Sequence, residues 1–350
     1  MLLDYIGFDG APATLQLLLG LALGAVFGIA AQISRFCLRR AVAGEVGERR
    51  SAAGVWLAAL GTAILALQGA VALGYADVSG HRWLSSDLPI LALVAGGLAF
   101  GAGMVLTRGC ISRLTVLGAS GNLRALTVLV LFAVTAHAML KGVLAPLRTA
   151  LGDVTLPAPV SALSDLPGGA LLWSLLLALP LLAIALRSGA RARDLSLGVV
   201  IGLTAALGWA ATSVLLLDEF DAQPVQSLAF TLPWSEALFW TIASTAIPAG
   251  FGVGFIGGTL GGAFLSAAAR GELALASFEG PAQTLRYASG AVLMGVGGVL
   301  AGGCTVGAGL SGVPTLSLAA LIALGSIVAG GRLTALALAP RSGAALAQPA

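Results

Sequence analysis

Apolar residues along this chain gather into long runs, and short stretches rich in charged residues, Gly or Pro separate them. A helix that crosses a bilayer needs roughly 20 mostly apolar residues. By that measure the pattern predicts an all-α polytopic membrane protein, a single transmembrane domain over 1–350 with nine spans. The spans are expected near residues 13–34, 52–74, 89–107, 123–145, 169–187, 195–217, 237–262, 287–302 and 315–335.

Two segments do not fit this pattern of ordinary spans. Residues 107–122 are too polar and residues 303–314 too rich in Gly, yet each follows a span directly. Backbone at membrane depth must be hydrogen-bonded within the protein or line a wet cavity. We therefore expect both segments to be short re-entrant or broken helices.

The composition agrees with the pattern. Apolar residues make up 58% of the chain, charged residues only 9%, and the mean hydropathy is +0.99, whereas a soluble domain has about 25% charged residues. The net charge is +3, but there are no basic runs with interleaved aromatic residues. Nucleic acid is therefore excluded as a partner. The first residues, "MLLDYIGFDGAPATL", lack a basic region, so we expect the first span to be retained rather than cleaved as a signal peptide.

The basic residues predict an orientation, because cytoplasmic loops of membrane proteins carry an excess of Lys and Arg. With nine spans and the N-terminus outside, fifteen arginines, from Arg35 to Arg341, fall on the inner side. The outer side receives only Arg82, Lys141 and Arg148. The pattern predicts a multi-pass protein of a bacterial inner (cytoplasmic) membrane, with its C-terminus in the cytoplasm.

Two phrases of the sequence resemble each other. "GAGMVLTRGC" ends at Cys110 and "GVGGVLAGGC" ends at Cys304, and Gly118 and Gly312 keep the same offset. Under the predicted topology the spans before the two cysteines run in opposite directions. Inverted repeats of this kind build many transporters, with the substrate site near the midplane. We expect two inverted pseudo-symmetric halves, 13–150 and 195–335, joined by a linker and span at 151–194.

The cysteines are the candidates for chemistry. Three cysteines without a CxxC motif suggest neither a disulfide framework nor a zinc site, and Cys packs well in membrane helices. Each one, however, lies at or after the end of a span, beside Arg or Gly. Gly lets a backbone turn sharply, exposed N–H groups bind anions, and a thiol suits a sulfane sulfur. The candidate substrate-binding residues are Cys37, Cys110, Cys304, Gly109, Gly303, Thr305, Arg108 and Arg113.

Other features add little chemistry. His81 and His137 stand alone, and the spans contain almost no acidic residues, so the sequence predicts no proton relay. Nothing indicates a catalytic group, a metal or a cofactor. "GFGVGFIGGTLGGAF" (250–264) places Gly250, Gly254, Gly258 and Gly262 on one helix face, which favours close helix packing.

These residues carry a resemblance to a known family. "GMVLTRGCISRLTVLGASGNLRAL" and "GVLAGGCTVGAGLSG" resemble the two signature regions of the YeeE/YedE family, and "SRFCLRRAV" is loosely similar to its first Cys region. The resemblance covers about residues 20–335. It implies an inner-membrane permease for thiosulfate or a closely related sulfur-containing anion, which passes along a central route lined by Cys37, Cys110 and Cys304. It also implies a TusA-like sulfur carrier protein as a possible partner.

Two alternatives remain open at the level of sequence. A membrane-embedded sulfurtransferase would form a persulfide on a Cys, although no base is visible near Cys110. A non-transporting membrane subunit would use its Gly-rich faces only for packing. We expect a permease rather than an enzyme.

Overall fold

The apolar runs form helices in the structure, a computed structural model that describes residues 12–158, 160–215 and 224–339. Residues 1–11 and 340–350, which include Arg341, lie outside this range. So do residue 159 and residues 216–223, between the sixth and seventh spans. The α-helices are α1 (Pro12–Ser34), α2 (Leu38–Ala43), α3 (Val46–Ala72), α4 (Ile90–Leu106), α5 (Ile111–Ala119), α6 (Leu123–Lys141), α7 (Ala145–Gly152), α8 (Gly169–Leu186), α9 (Ala192–Ala210), α10 (Thr231–Ala243), α11 (Phe251–Ala269), α12 (Pro281–Leu300) and α13 (Leu318–Ala337).

Shorter elements complete the described chain. Ala211–Leu215 and Thr305–Gly312 are π-helical, and three 3₁₀ turns cover Arg82–Leu84, Leu163–Asp165 and Val313–Thr315. Two short strands, β1 (Asp87–Leu88) and β2 (Leu156–Pro157), pair antiparallel.

Nine helical segments of the described chain are long and apolar enough to cross a membrane, which confirms the predicted number. Three of them, Ala13–Ala43, Ile90–Ala119 and Pro281–Thr315, contain a break between helices. The segments 107–122 and 303–314 are broken helices as predicted, because they contain α5 and the π-helix Thr305–Gly312. The break after α1, which leads into α2, was not predicted.

The seventh span, expected at 237–262, was wrong in its bounds. The chain instead forms the 13-residue helix α10 and, after a break, the spanning helix α11. Pro248 and Gly250 lie in this break. Proline lacks the N–H group that a continuing helix needs, and it disfavours helical backbone in the residue before it. Average hydropathy does not detect such a break because Ala and Ile surround it.

Close helix packing depends on small residues. Gly254, Gly258 and Gly262 of α11 lie directly against the backbone of α1, whereas Gly250 precedes the helix. Glycines of α1 in turn meet the backbone of α11, so the two helices are parallel and in backbone contact along their length. This confirms the packing role predicted from the four-residue spacing.

The basic residues collect at one end of the helix bundle, here called the basic face. The Gln32 amide donates to the Glu272 carboxylate at 2.8 Å, and the Arg50 guanidinium donates to the Arg187 carbonyl at 2.7 Å. These bonds join the end of α1 to the connection after α11, and the first turns of α3 to the end of α8. The basic face carries Arg35, Arg49, Arg108, Arg124, Arg187, Arg270 and Arg332.

The other end of the bundle is here called the opposite face. The Gln68 amide donates to the Pro314 carbonyl at 2.7 Å, and the Leu163 N–H donates to the Leu316 carbonyl at 2.9 Å. The π-helix Thr305–Gly312 therefore ends at this face. Helix α5 ends at the basic face, where the Ala274 N–H donates to the Ser120 carbonyl at 3.0 Å.

Candidate functional site

Each of the three cysteines marks a break in a spanning helix. The residue two positions before each Cys has a left-handed backbone: φ is 52° at Arg35, 57° at Arg108 and 70° at Gly302. Each Cys is then the N-cap residue of the next short helix. The same local turn therefore occurs three times, although only one copy has Gly at the left-handed position.

In the turns before Cys37 and Cys110, backbone N–H groups pair with carbonyl groups in the last turn of the preceding helix. The Phe36 N–H donates to the Ala31 carbonyl at 3.2 Å, and the Gly109 N–H donates to the Met104 carbonyl at 3.0 Å. These bonds are typical of a helix that ends in a left-handed residue. An L-residue such as Arg in this conformation costs about 1–2 kcal/mol. Strain of this kind is concentrated at functional sites.

Cys37 and Cys110 are in direct contact. Their Sγ atoms are 3.7 Å apart, and the Cys110 Sγ lies 3.3 Å from the Ser112 hydroxyl. The side chains are only 3% and 1% exposed. Two protein segments that are 73 residues apart in sequence thus place their thiols in one buried cluster.

Cys304 extends this cluster toward the opposite face. Its Sγ accepts a hydrogen bond from the Gly307 N–H at 3.4 Å, and the residue is fully buried. The side chain of the adjacent Thr305 lies near the Cys110 thiol. We call Cys37, Cys110, Thr305 and Cys304 the thiol cluster.

Aromatic side chains that the sequence did not single out lie in the same buried core as the thiol cluster. The rings of Phe27, Phe230 and Phe255 are fully buried, with centroids 5.1 to 5.9 Å apart. The backbone of Phe230 approaches the Cys304 thiol. These residues come from three helices far apart in sequence, so no local motif could have revealed them.

The other predicted site residues differ in their placement. Gly109 and Gly303 are buried within the turns, and a Cβ atom on Gly303 would lie 2.8 Å from the Ala308 nitrogen. The half-buried Arg113 donates to the Ala31 carbonyl at 3.4 Å. Arg108 is exposed and does not join the thiol cluster. It lines a 390 Å³ cavity on the basic face together with Arg39, Ala43, Gly44, Glu45 and Glu48.

A larger cavity of about 660 Å³ opens on the opposite face, and we call it the vestibule. Gly303 and Gly307 of the Cys304 turn form part of its lining. The Arg82 guanidinium donates to the Gly302 carbonyl at 2.6 Å, and the Trp83 ring packs on Gly302. The short turn Arg82–Leu84 therefore covers the Cys304 turn from this side.

The ionisable side chains that line the vestibule belong to the loop between α3 and α4. Burial, with a smaller contribution from the Arg82 charge, lowers the pKa of His81 to about 4, so His81 is neutral at pH 7. Hydrogen bonds from Ser79 lower the pKa of Asp77, which is therefore a carboxylate. Arg82 and Asp77 are thus the charged groups among the described residues that line the vestibule.

Comparison with known proteins gives two findings. The family model described as "Sulphur transport" matches residues 33–333. A relative named "Thiosulfate transporter TsuA", from Spirochaeta thermophila, is 27% identical over 321 residues, which cover 87% of this chain and 93% of the relative. The family match spans all three cysteine turns.

Proposed function

The chain belongs to the sulphur transport family, and on that premise we propose that this multi-pass membrane protein is a permease that imports thiosulfate or a closely related sulfur-containing anion. The observation that carries the proposal is the thiol cluster, in which three broken helices bring Cys37, Cys110 and Cys304 to one buried region. A relative over most of the chain is named a thiosulfate transporter.

The chemistry of the cluster suits this class of substrate. The N-termini of α5 and of the π-helix Thr305–Gly312 begin at Cys110 and Cys304. Unpaired N–H groups and the helix dipole at such ends attract anions, and transporters place broken helices at their substrate sites. A thiol is a weak hydrogen-bond donor. Successive weak sites can hold an anion without trapping it, as conduction requires.

We place the route between the two faces. The anion enters the vestibule beside Arg82, passes the Cys304 turn, and then meets Cys110 and Cys37 before it leaves near Arg113 at the basic face. All three cysteines are buried, so the structure corresponds to a closed state of this route. The contacts of Arg82 and Trp83 with Gly302 would have to open for the anion to enter.

The positive-inside rule supports a cytoplasmic basic face. The N-terminus is then outside, the C-terminus is in the cytoplasm, and the membrane is the bacterial inner membrane. A TusA-like sulfur carrier would act on the cytoplasmic side, where its use of sulfur would favour further import.

The inverted repeat is proposed on the pattern of helix contacts. If α1 corresponds to α9 and α11 corresponds to α3, then the parallel pair α1–α11 in one half has its counterpart in the parallel pair α9–α3. If α4 corresponds to α12 and α13 corresponds to α6, then the pair α4–α13 likewise has its counterpart in the pair α12–α6. The same correspondence relates Cys110 to Cys304 and Cys37 to Phe230, the N-cap residue of α10. This supports two halves, 13–150 and 195–335.

Import of a dianion needs a driving force. Each elementary charge moved across 100 mV requires about 2.3 kcal/mol, so two negative charges require about 4.6 kcal/mol against an inside-negative potential. A substrate gradient, a coupled ion or rapid consumption inside the cell must offset this work.

A second candidate, a sulfurtransferase, is favoured by the contact between two thiols. The Cys110 thiolate would attack the sulfane sulfur of thiosulfate, the S–S bond would break, sulfite would leave with the electron pair, and Cys110 would become a persulfide. Covalent catalysis by Cys needs an adjacent base or another activating group. Among the described residues, the side chains in contact with the Cys110 thiol are those of Cys37 and Ser112, with Thr305 nearby, and none of these is a conventional base.

The test is uptake of ³⁵S-thiosulfate into proteoliposomes that contain only this protein, with sulfate as competitor. We expect uptake that excess sulfate does not abolish, and we expect Cys110→Ala and Cys110→Ser to lower it to background. Ser266→Ala, a small change at another buried position, should transport normally. Normal uptake by both Cys110 variants would contradict the assigned role. Uptake by the purified chain would also exclude a non-transporting subunit, and a persulfide detected on Cys110 during turnover would support the sulfurtransferase.

A further inference from the structure

A second cavity of about 750 Å³ lies beside the vestibule, between α1, α6, α10 and α11, and we call it the α10 cavity. Its lining includes three ionisable side chains, His137, Lys141 and Glu236, and the amide side chain of Gln16. An ionisable residue within a membrane domain is costly to bury and usually has a function. The proposed thiosulfate route does not use any of these groups.

Glu236 occupies a space that a glycine leaves open. Its carboxylate lies against Gly252 of α11, where a Cβ atom would overlap the Oε2 atom. Glu236 itself is only partly exposed. The cavity wall is mostly apolar, with Phe239, Trp240 and Phe251 among its residues. A carboxyl group in such surroundings can change between a charged and a neutral form by binding a proton.

His137 lines the same cavity and is hydrogen-bonded to Ser235, the residue before this acid. Its Nδ1 atom is 2.9 Å from the Ser235 hydroxyl, and its ring stacks on Phe239 at a centroid distance of 4.9 Å. Lys141 is one turn further along α6 and is exposed. The described parts of α1 and α11 contribute no charged residue, and α12 contributes only Arg286 near its basic-face end. Glu236, His137 and Lys141 are therefore the titratable groups that face this cavity from the described elements.

Gln16 gives an independent indication of a ligand. Only 2% of this residue is exposed, and its amide nitrogen has no hydrogen-bond partner within the described parts of the chain. Buried polar groups are nearly always paired, either with protein or with ordered water. A water molecule in the α10 cavity would satisfy Gln16 and could carry a proton to the carboxylate.

We propose that the α10 cavity is the proton-binding site of an anion–proton symporter, in which Glu236 takes up a proton from the opposite face with His137 beside it as a relay. This inference rests on the proposed import of a sulfur-containing anion. The cavity shares Leu140, Pro224, Gln226 and Leu232 with the vestibule, so the proton and the anion would enter from the same side.

A proton fits the site better than a divalent metal cation does. Calcium takes six to eight oxygen ligands and magnesium six. Among the described lining residues, the Glu236 carboxylate is the only carboxylate, and the cavity also contains the cation Lys141. One carboxylate beside an imidazole is instead a typical arrangement for proton uptake.

Helix α10 provides the connection between the proton and the anion. It begins at Thr231, directly after Phe230, whose backbone approaches the Cys304 thiol. The Thr231 side chain lines the vestibule and lies close to Gly298 of α12. Neutralising Glu236 removes a charge from the same short helix, about one and a half turns from Thr231. A shift of α10 would therefore act on both sites.

The first test needs no transport. Infrared difference spectra of the purified protein in lipid, recorded between alkaline and acidic pH, should show the carbonyl stretching band of a protonated carboxyl group. We expect Glu236→Gln to lose a component of this band that Glu279→Gln keeps, because Glu279 is exposed and pairs with Arg124 on the basic face at 3.6 Å. A spectrum in which Glu236→Gln keeps every component that Glu279→Gln keeps would overturn the proposal.

The second test measures coupling in proteoliposomes that contain a pH-sensitive dye. We expect thiosulfate uptake to acidify the lumen and an inward proton gradient to raise the uptake rate severalfold. Glu236→Gln should lose both effects, whereas Glu279→Gln should keep them. Wild-type uptake without acidification would overturn the proton site and leave the proposed permease intact. Absence of any wild-type uptake would count against the permease, and the infrared titration would then decide on the proton site.

Discussion

At the scale of single residues, the feature with most consequences is the contact between Cys37 and Cys110. The two Sγ atoms are 3.7 Å apart and buried, whereas the Cys304 thiol meets the backbone N–H of Gly307. Cys37 and Cys110 precede different helices, α2 and α5. Any oxidation that joins these thiols would therefore fix two of the three breaks relative to each other.

This arrangement leads to a prediction about oxidation. Copper phenanthroline, with oxygen as the electron acceptor, should convert the Cys37 and Cys110 thiols into a disulfide and lower thiosulfate uptake to background. Dithiothreitol should restore the uptake. Mass spectrometry of the linked peptides would identify the bond, and Cys37→Ser should be insensitive to the oxidant if it still transports. Full uptake by a quantitatively crosslinked protein would contradict a route through this contact.

The loop histidine permits a prediction about pH. Burial lowers the pKa of His81 to about 4 from an ordinary value of 6.5, so the unfolded chain binds this proton more readily than the folded chain does. The stability that neutral His81 contributes is complete above about pH 6.5 and decreases as the pH falls toward 4. At pH 5 the loss is up to about 2 kcal/mol. Melting temperatures in detergent should therefore decrease between pH 7 and pH 5, and His81→Gln should show a smaller decrease.

The sequence predicted some of the residues of the candidate site but not which of them are buried together. The paired phrases identified Cys110 and Cys304 because the Gly-rich turns are local features. The position of Arg108 could not be predicted, since the left-handed turn at φ 57° leaves this side chain exposed on the basic face. Glu236 and His137 are 99 residues apart, and only the packing of α10 on α6 brings them to one cavity.

At the scale of helices, the parallel pair α1–α11 has the closest backbone contact. Gly24 of α1 and Gly258 of α11 each lie against the backbone of the other helix. The four-residue spacing of glycines predicted that α11 has a smooth face. It could not identify α1 as the partner, because spacing describes one helix and pairing depends on the arrangement of all of them.

A pair of neighbouring glycines tests this contact. Gly258→Ala would place a Cβ atom 2.9 Å from the Ala25 nitrogen and still closer to the Leu21 backbone, whereas Gly257→Ala would meet no atom within 4 Å. Because backbone cannot easily move aside, we expect Gly258→Ala to cost about 1–3 kcal/mol. We expect Gly257→Ala to be neutral or slightly stabilising, since Ala favours helix. Thermal unfolding in the same detergent compares the two variants, and equal melting temperatures would contradict the close contact.

At the scale of the whole molecule, two short helices begin inside the bundle and run to its opposite ends. Helix α5 runs from Cys110 to the basic face, and the π-helix runs from Cys304 to the opposite face. Both begin at the thiol cluster, so their N-termini meet inside the protein while their C-termini point apart. This arrangement places two helix N-termini at one internal site and leaves a cavity on each face. Helix α8 contributes little to this site, because it packs mainly on α3 and exposes Leu171 and Leu186.

The proposed entry through the vestibule requires that the opposite face lies outside the cell, and labelling can test this. The three native cysteines are at most 3% exposed, so a membrane-impermeant maleimide should not label the wild-type protein in intact cells. Ser79→Cys lies on the exposed vestibule loop, and Gly47→Cys lies in the exposed first turn of α3 on the basic face. We expect the first variant to be labelled in intact cells with a permeable outer membrane, and the second only after the inner membrane is disrupted. The reverse result would put the vestibule and the α10 cavity in the cytoplasm, and it would contradict the proposed entry of the anion and the proton through the vestibule.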